Sequence, residues 1–173
     1  MDVDRAIAGY RAIRTFRAEP LTETELDRIV DAGRRAGSSK NSQRRVFIVV
    51  TDRERLGALS GVGPFAGHVA GAAAAIALVS PDPREPGAPL SVTWDLGLAA
   101  QNMILAAWAA GIGSCPATVY DQSLARQLLG YPADHHCEYV PSFGRPSDPS
   151  DLDRALRPGG RRPLDEVARR DHW

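Results

Sequence analysis

The stretch SVTWDLGLAAQNMILAAWAAG, residues 91–111, limits what this chain can fold into more than any other. Apolar or small residues fill nearly every position, so a helix made from it has no wide polar face to turn toward water. Such a helix is expected to be central and buried. Gly97, Ala99, Ala100, Ala106 and Ala107 are small enough for another helix to approach closely. Gln101 and Asn102 interrupt the run, and the other long apolar stretch, VAGAAAAIALV at 69–79, is too short to span a bilayer. A chain of 173 residues is the size of a single domain, expected here over 1–173. A domain of this size has little surface with which to cover such a helix, and a dimer interface is the natural source of more.

Composition narrows the function classes. Hydrophobic residues make up 43% and charged residues 24%, enough to fill a core and too apolar for a disordered chain. Lys+Arg and Asp+Glu both number 21, so the overall charge attracts neither nucleic acid nor an anionic membrane. The 2 cysteines, Cys115 and Cys137, form neither a disulfide framework nor a zinc motif, which fits a reducing cytoplasm. The opening MDVDRAIAGYR lacks the basic-then-apolar order of a signal peptide.

Local signals predict the elements. Asp2 caps a short helix reaching Gly9, and Thr22 with Glu25 forms a capping box for a helix whose stripe is Leu26, Ile29, Val30 and Gly33, with Gly37 as its stop. Residues 45–50 read as a strand, and Asp52 caps the next short helix. A loop at 61–67 is followed by a buried strand at 72–79 and a proline-rich loop at 81–89. A capped helix follows at 121–130, then one strand within 137–146, a polar loop, and a last helix with Pro163 in its first turn. This alternation suggests α+β or mixed α/β, with a sheet covered by helices.

No nucleophile, metal site or acid–base pair stands out. HHC at 135–137 holds ligand-type residues, but neighbouring side chains on a strand point apart, so a strand-edge surface is expected. Cys115 has no evident cationic partner and reads as a small buried residue in a tight turn. GVGPFAG and GIGSC are glycine-rich, yet neither follows a strand with dinucleotide-binding spacing. Arginine is what remains: Arg11 and Arg14 near one end, Arg161 and Arg162 near the other. Taken singly, each pair reads as a solvated face. Guanidinium groups from distant segments can also grip a phosphate with paired, charge-assisted hydrogen bonds. The polar loop AGSSKNSQRR at 36–45, with the only lysine of the chain, Lys40, would suit the edge of a heterocycle. Together they match a phosphorylated aromatic cofactor.

Four segments, in order, resemble the nitroreductase family. YRAIRTFRAEPLTETELDRIVDAGRRAGSSKNSQRRVFIVV is similar to that family's arginine-rich opening turn, helix, serine/asparagine loop and strand. WDLGLAAQNMILAAWAAGIGSC resembles its central helix, LLGYPADHHCEYVPSFGRP its penultimate strand and turn, and RRPLDEVARRDHW its ending. The resemblance implies an α+β fold with a central, mostly antiparallel sheet flanked by helices, in an intertwined homodimer with FMN in the interface clefts. Carried onto this chain, it implies Arg11, Arg14 and Arg161 or Arg162 as phosphate ligands. Ser38, Ser39, Asn41 and Gln43 would meet the flavin or ribityl chain, and Pro116, Ala117 and Thr118 would line the ring through backbone groups. Tyr10, Ala12, Gly37 and Arg44 depart from the family pattern, which points Lys40 and Arg44 toward the substrate or a nicotinamide phosphate.

The implied activity is transfer of hydride from NAD(P)H through the flavin to a nitroaromatic, quinone or similar electron-poor small molecule, in ping-pong order. It needs no dyad from the protein, because the cofactor carries the chemistry. Rival readings are a relative that fragments flavin or performs another reductive step, a flavin-binding module without turnover, and a plain interaction protein.

Overall fold

The computed structural model describes residues 2–154 and 160–173. Its organising element is strand β2 (Ala74–Pro81), buried along almost its whole length. Ala75, Ala77 and Val79 face one apolar cluster, and Ala74, Ile76 and Leu78 face another. A strand buried on both faces has no polar alternation, which is why its sequence reads as a continuous apolar run. Strand β1 (Val46–Val50) pairs with it antiparallel in the register Val46↔Val79 to Val50↔Ala75. On the other edge of β2 lie β5 (Ser142–Gly144), followed outward by β3 (Gly113–Cys115), and, further along, β4 (His135–Tyr139). All four strand pairings are antiparallel.

Helices cover both faces. On one side, α3 (Arg53–Leu59) and α5 (Gln122–Leu129) supply Leu56, Leu59 and Ala125 to the core. On the other, α2 (Glu23–Arg34) and α4 (Ser91–Ala109) supply Leu26, Ile29, Leu96, Met103 and Ala107. Gly33 allows α2 and α4 to meet closely: a Cβ there would lie 2.2 Å from Met103 Cε. The caps are those the sequence predicts. Thr22 accepts from the Glu25 amide while Glu25 accepts from Thr22, and Asp2, Asp52 and Asp121 cap α1 (Val3–Gly9), α3 and α5.

Several expectations need correction. Helix α2 ends at Arg34, capped by the Arg35 amide bonding Asp31, so Gly37 is not its stop. The single strand expected within 137–146 is two, β4 and β5, separated at Val140–Pro141 because proline has no amide to continue a ladder. Strand β3, where a tight turn was expected, is three residues long and carries no alternation to reveal it. His136 and Cys137 are buried in β4, with Cys137 opposite Val79, so HHC is not an edge surface. Pro163 caps α6 (Leu164–Val167) from just outside it. The polar loop expected before α6 includes residues 155–159, which lie outside the described residues.

A strap at residues 13–17 crosses the ends of β3 and β5. The Ile13 amide bonds the Ser114 carbonyl at 2.9 Å, and the Arg17 amide bonds that of Arg145 at 2.9 Å. Gly113 and Gly144 make room for it, since a Cβ would meet Ile13 at 2.8 Å and Phe16 at 2.9 Å. Arg145 ties this end of the sheet to α2 through Glu25. Glu25 is held below the ordinary carboxylate value of 4.5 by the Thr22 amide first, with the Thr22 hydroxyl and Arg145 adding to it. A carboxyl depressed on folding stabilises the folded state above its unfolded value and loses that contribution as pH falls through the folded one. Glu25→Gln is therefore expected to lower stability at pH 7 by about 1–2 kcal/mol. The gap to wild type should close below pH 4.5, as read by thermal melting across pH.

Candidate functional site

The strap and the residues just before it bring Arg14 and Arg11 to a two-lobed groove. The first lobe, about 330 Å³, is lined by Tyr10, Arg11, Ala12, Arg14, Cys115, Pro116 and Arg161. The second, about 440 Å³, is lined by Arg14, Pro64, Phe65, Gly67, His68, Cys115 and Pro116. Arg14, Cys115 and Pro116 form the wall that the lobes share. Among the described residues no carboxylate lines either lobe, so the groove is a positively charged concavity suited to an anion. The two ends of the chain thus converge, with Arg161 on the wall. Arg162 is exposed beside it and is not part of the wall.

Arg11 is held in place from below. Its guanidinium lies 5.9 Å from the centroid of the Trp108 ring, and its Nε and Nη2 donate to the Gly9 carbonyl at 3.4 Å. Tyr10, which stands where a family arginine is frequent, packs edge-on against Trp108 at 5.8 Å. A guanidinium stacked on an aromatic face is held in one orientation at the lobe. Arg14 is exposed and touches both lobes electrostatically. Burial pushes the Cys115 thiol up while Arg14 pulls it down less strongly, so this thiol is not an activated nucleophile.

His68 is a groove residue that the sequence reading missed. Its Nδ1 lies 2.8 Å from Ser142 Oγ, which bonds the Cys115 carbonyl at 3.3 Å, and its Nε2 is buried without a hydrogen-bond partner among the described residues. Burial first, and then Arg14, hold the ring below its ordinary value of 6.5, against the opposite pull of the Pro116 carbonyl. His68 is accordingly neutral at pH 7. Phe65, 70% exposed, stands at the rim near Tyr120, with ring centroids 6.5 Å apart. Gly63 lets the two segments meet, because a Cβ there would come within 2.8 Å of the Thr118 carbonyl. No spacing in the sequence marks His68 or Phe65, since both sit in an irregular segment. By NMR titration the His68 ring should titrate below 6.5, and Arg14→Met should raise the midpoint without restoring it fully.

Of the residues expected to line a flat ring, Pro116 is exposed on the shared wall. Ala117 is buried in the core, and its carbonyl accepts from the Val140 amide. Thr118 bridges to Tyr139 and lines neither lobe. The backbone contacts implied for Ala117 and Thr118 are thus largely committed to the fold.

The 38–43 loop lies elsewhere. None of Ser38, Ser39, Lys40, Asn41, Gln43 or Arg44 lines either lobe. Ser38 Oγ accepts from the Gln43 amide at 3.1 Å, and Asn41 Oδ1 from Gln43 Nε2 at 3.0 Å. Lys40, Asn41 and Gln43 have left-handed backbone, with φ of 52°, 53° and 48°. For Lys40 and Gln43 that conformation costs on the order of 1 kcal/mol each, whereas asparagine adopts it more readily. The loop is pinned to α4 by Asp95, whose two carboxylate oxygens each lie 3.2 Å from the Ser39 nitrogen. Asp95 lies in the first half of α4 and Trp108, under Arg11, at its far end. At about 1.5 Å per residue, the two halves of the expected site are roughly 20 Å apart along one helix.

Comparison with known proteins agrees with this architecture. The model of the nitroreductase family matches residues 7–62 and 58–145. A protein of Archaeoglobus fulgidus, provisionally named an NADH dehydrogenase/NAD(P)H nitroreductase, is 34% identical over 154 residues, covering 86% of this chain and 87% of the relative. The NADPH-flavin oxidoreductase of Vibrio harveyi is 29% identical over 153 residues, covering 81% of this chain but 64% of its own length. A solved structure of NADPH:FMN oxidoreductase from Vibrio harveyi complexed with NAD+ superposes with a TM-score of 0.84 at 25% identity, covering 98% of this chain and 77% of that one. With the family model covering most of its length, and a relative above 30% identity along nearly all of it, the chain belongs to the nitroreductase family.

Proposed function

We propose that this chain is an FMN-dependent NAD(P)H oxidoreductase that acts as a homodimer. The observation that carries the reading is the separation of the two halves of the site on α4. The arginine groove sits at one end, the polar loop at the other, and neither by itself surrounds a flavin. Over its first half α4 leaves a stripe open: Trp94 is 70% exposed, Leu98 is 37% exposed, and Gly97 and Gln101 lie on the same face. A two-fold axis perpendicular to α4 near Gln101, midway between Asp95 and Trp108, runs two copies antiparallel. It then sets the loop of one copy against the groove of the other, giving two equivalent clefts.

The residues present fit the cofactor. Arg11 and Arg161 would hold the phosphate in the first lobe. Arg14, on the shared wall, would face the carbonyl edge of the ring, where a positive charge favours the reduced anion. Pro116 would lie under the ring. Ser38, Ser39, Asn41 and Gln43 of the second copy would meet the ring and ribityl chain. FMN bound there supplies the hydride relay, from NAD(P)H to an electron-poor acceptor such as a nitroaromatic or quinone. Both partners would use the same open side of the cleft in turn, which gives ping-pong kinetics. The rim carrying Phe65, with exposed Lys40 and Arg44 of the second copy, would meet these partners. The relatives' names, which specify NAD(P)H, flavin and FMN, support the same chemistry.

Purified protein is expected to be yellow or to turn yellow with added FMN, to bleach with NADH or NADPH, and to recover colour with a quinone. Colourless protein that gains no flavin spectrum sinks the proposal. Removing two guanidiniums by Arg11→Ala with Arg161→Ala should weaken FMN binding by about 100-fold or more, measured by flavin fluorescence quenching. Leu98→Arg, placed on the open α4 stripe, should yield a folded monomer by light scattering that retains no FMN. A monomer that keeps FMN would show that the groove needs no second copy.

A further inference from the structure

The loop at 38–43 has Lys40, Asn41 and Gln43 all left-handed, a backbone that Lys40 and Gln43 do not favour. Its internal bonds, Ser38 with Gln43 and Asn41 with Gln43, close the turn on itself without fixing it to the molecule. Arg45 anchors its exit by bonds to the Arg34 and Gly37 carbonyls. At its entry the tether is Asp95, 56 positions away in sequence, whose carboxylate oxygens share the Ser39 amide.

Asp95 is an unusual residue for its place. It is 7% exposed on an otherwise uncharged helix, and among the described residues no cation pairs with it. An apolar side chain of similar volume would pack there without the desolvation penalty of a buried carboxylate. What an apolar side chain lacks is an acceptor for the Ser39 amide. The charge strengthens that bond, since a carboxylate accepts from a backbone amide more strongly than a neutral oxygen does.

We propose that Asp95 is a positioning residue for cofactor binding: by gripping the Ser39 amide it holds the loop in its left-handed turn, with Ser38, Asn41 and Gln43 presented outward as one rigid polar edge. The proposal rests on the FMN reading above and adds the device that preorganises one half of the cleft. A loop free to relax would have to be ordered at each binding event, and that cost appears as lost affinity.

The test separates the tether from the side chains around it. Asp95→Leu removes the acceptor, and Asp95→Asn keeps one oxygen. Ser39→Pro removes the donor while leaving Asp95 in place. The backbone accepts it, because Ser38 is extended at φ −144° and ψ 148°, as a residue before proline must be, and Ser39 is the first residue of a 3-10 turn. Ser39→Ala controls for the lost hydroxyl. Two quantities are read on each: amide hydrogen exchange over residues 38–45 against that of β2, and the dissociation constant for FMN. Asp95→Leu and Ser39→Pro should speed loop exchange, leave β2 protected, and weaken FMN binding by about tenfold or more. Asp95→Asn should lose less than about a third of that effect on a logarithmic scale; Ser39→Ala measures what the hydroxyl contributes to FMN binding without speeding loop exchange, and Ser39→Pro should weaken binding beyond it.

Unchanged FMN affinity or unchanged loop exchange in Ser39→Pro overturns the proposal, and this variant decides should Asp95→Leu not fold. Wild-type protein that fails to take up FMN overturns the functional reading and this inference with it. Wild-type binding that survives both tether variants overturns the inference alone.

Discussion

The packing of one flank of α4 against α2 and β2 sets the geometry of everything else. Met103 fills the space that Gly33 leaves open, and Leu96, Ala99 and Ala107 close against the sheet side. Small side chains bring the helices together and leave few gaps, so α4 is a rigid rod rather than a compliant one. It carries Asp95 near one end and Trp108 near the other. The loop hangs from the first and Arg11 rests on the second. Their separation is therefore a property of helix rise, not of flexible connections.

The same rod leaves its other flank open. In a single chain that flank exposes Trp94 and Leu98, which is costly in water and poor design for a monomer. Strand β2, by contrast, is covered on both sides. Solvent thus meets a helix that is apolar nearly all round along one stripe, flanked at its two ends by the polar parts of the candidate site. In the proposed dimer, what covers the stripe also closes the cleft.

Much of the fold was readable in advance because the signals are local. Capping by Asp2, Thr22, Asp52 and Asp121 depends on a side chain three or fewer positions from the amide it serves, so spacing alone reveals it. The two-faced burial of β2 was legible as an unbroken apolar run despite its alanines. By contrast β3 gave no warning: its three residues are strand because β5 lies beside them. The split at Val140–Pro141 and the true end of α2 likewise depend on partners far away. Of the site, the arginines and the polar loop were legible by residue type. His68 and Phe65 were not, because only the fold carries residues 64–68 to the wall that Arg14 and Pro116 form.

The sequence by itself determined the chemistry on offer: guanidinium groups at both ends of the chain, a polar loop, an uncharged helix with one carboxylate, and no activated nucleophile. It also determined family membership, which follows from ordered motifs along the chain. The tertiary structure decided which of these groups meet. It placed Arg161, not Arg162, on the groove wall. It committed the Ala117 carbonyl to the core, joined Asp95 to Ser39, and kept the loop and the arginines apart on one copy. The physical reason is range. Caps and periodicity act over a few residues, whereas a groove is assembled by segments a hundred positions apart, whose meeting is set by how α4, the sheet and the strap pack.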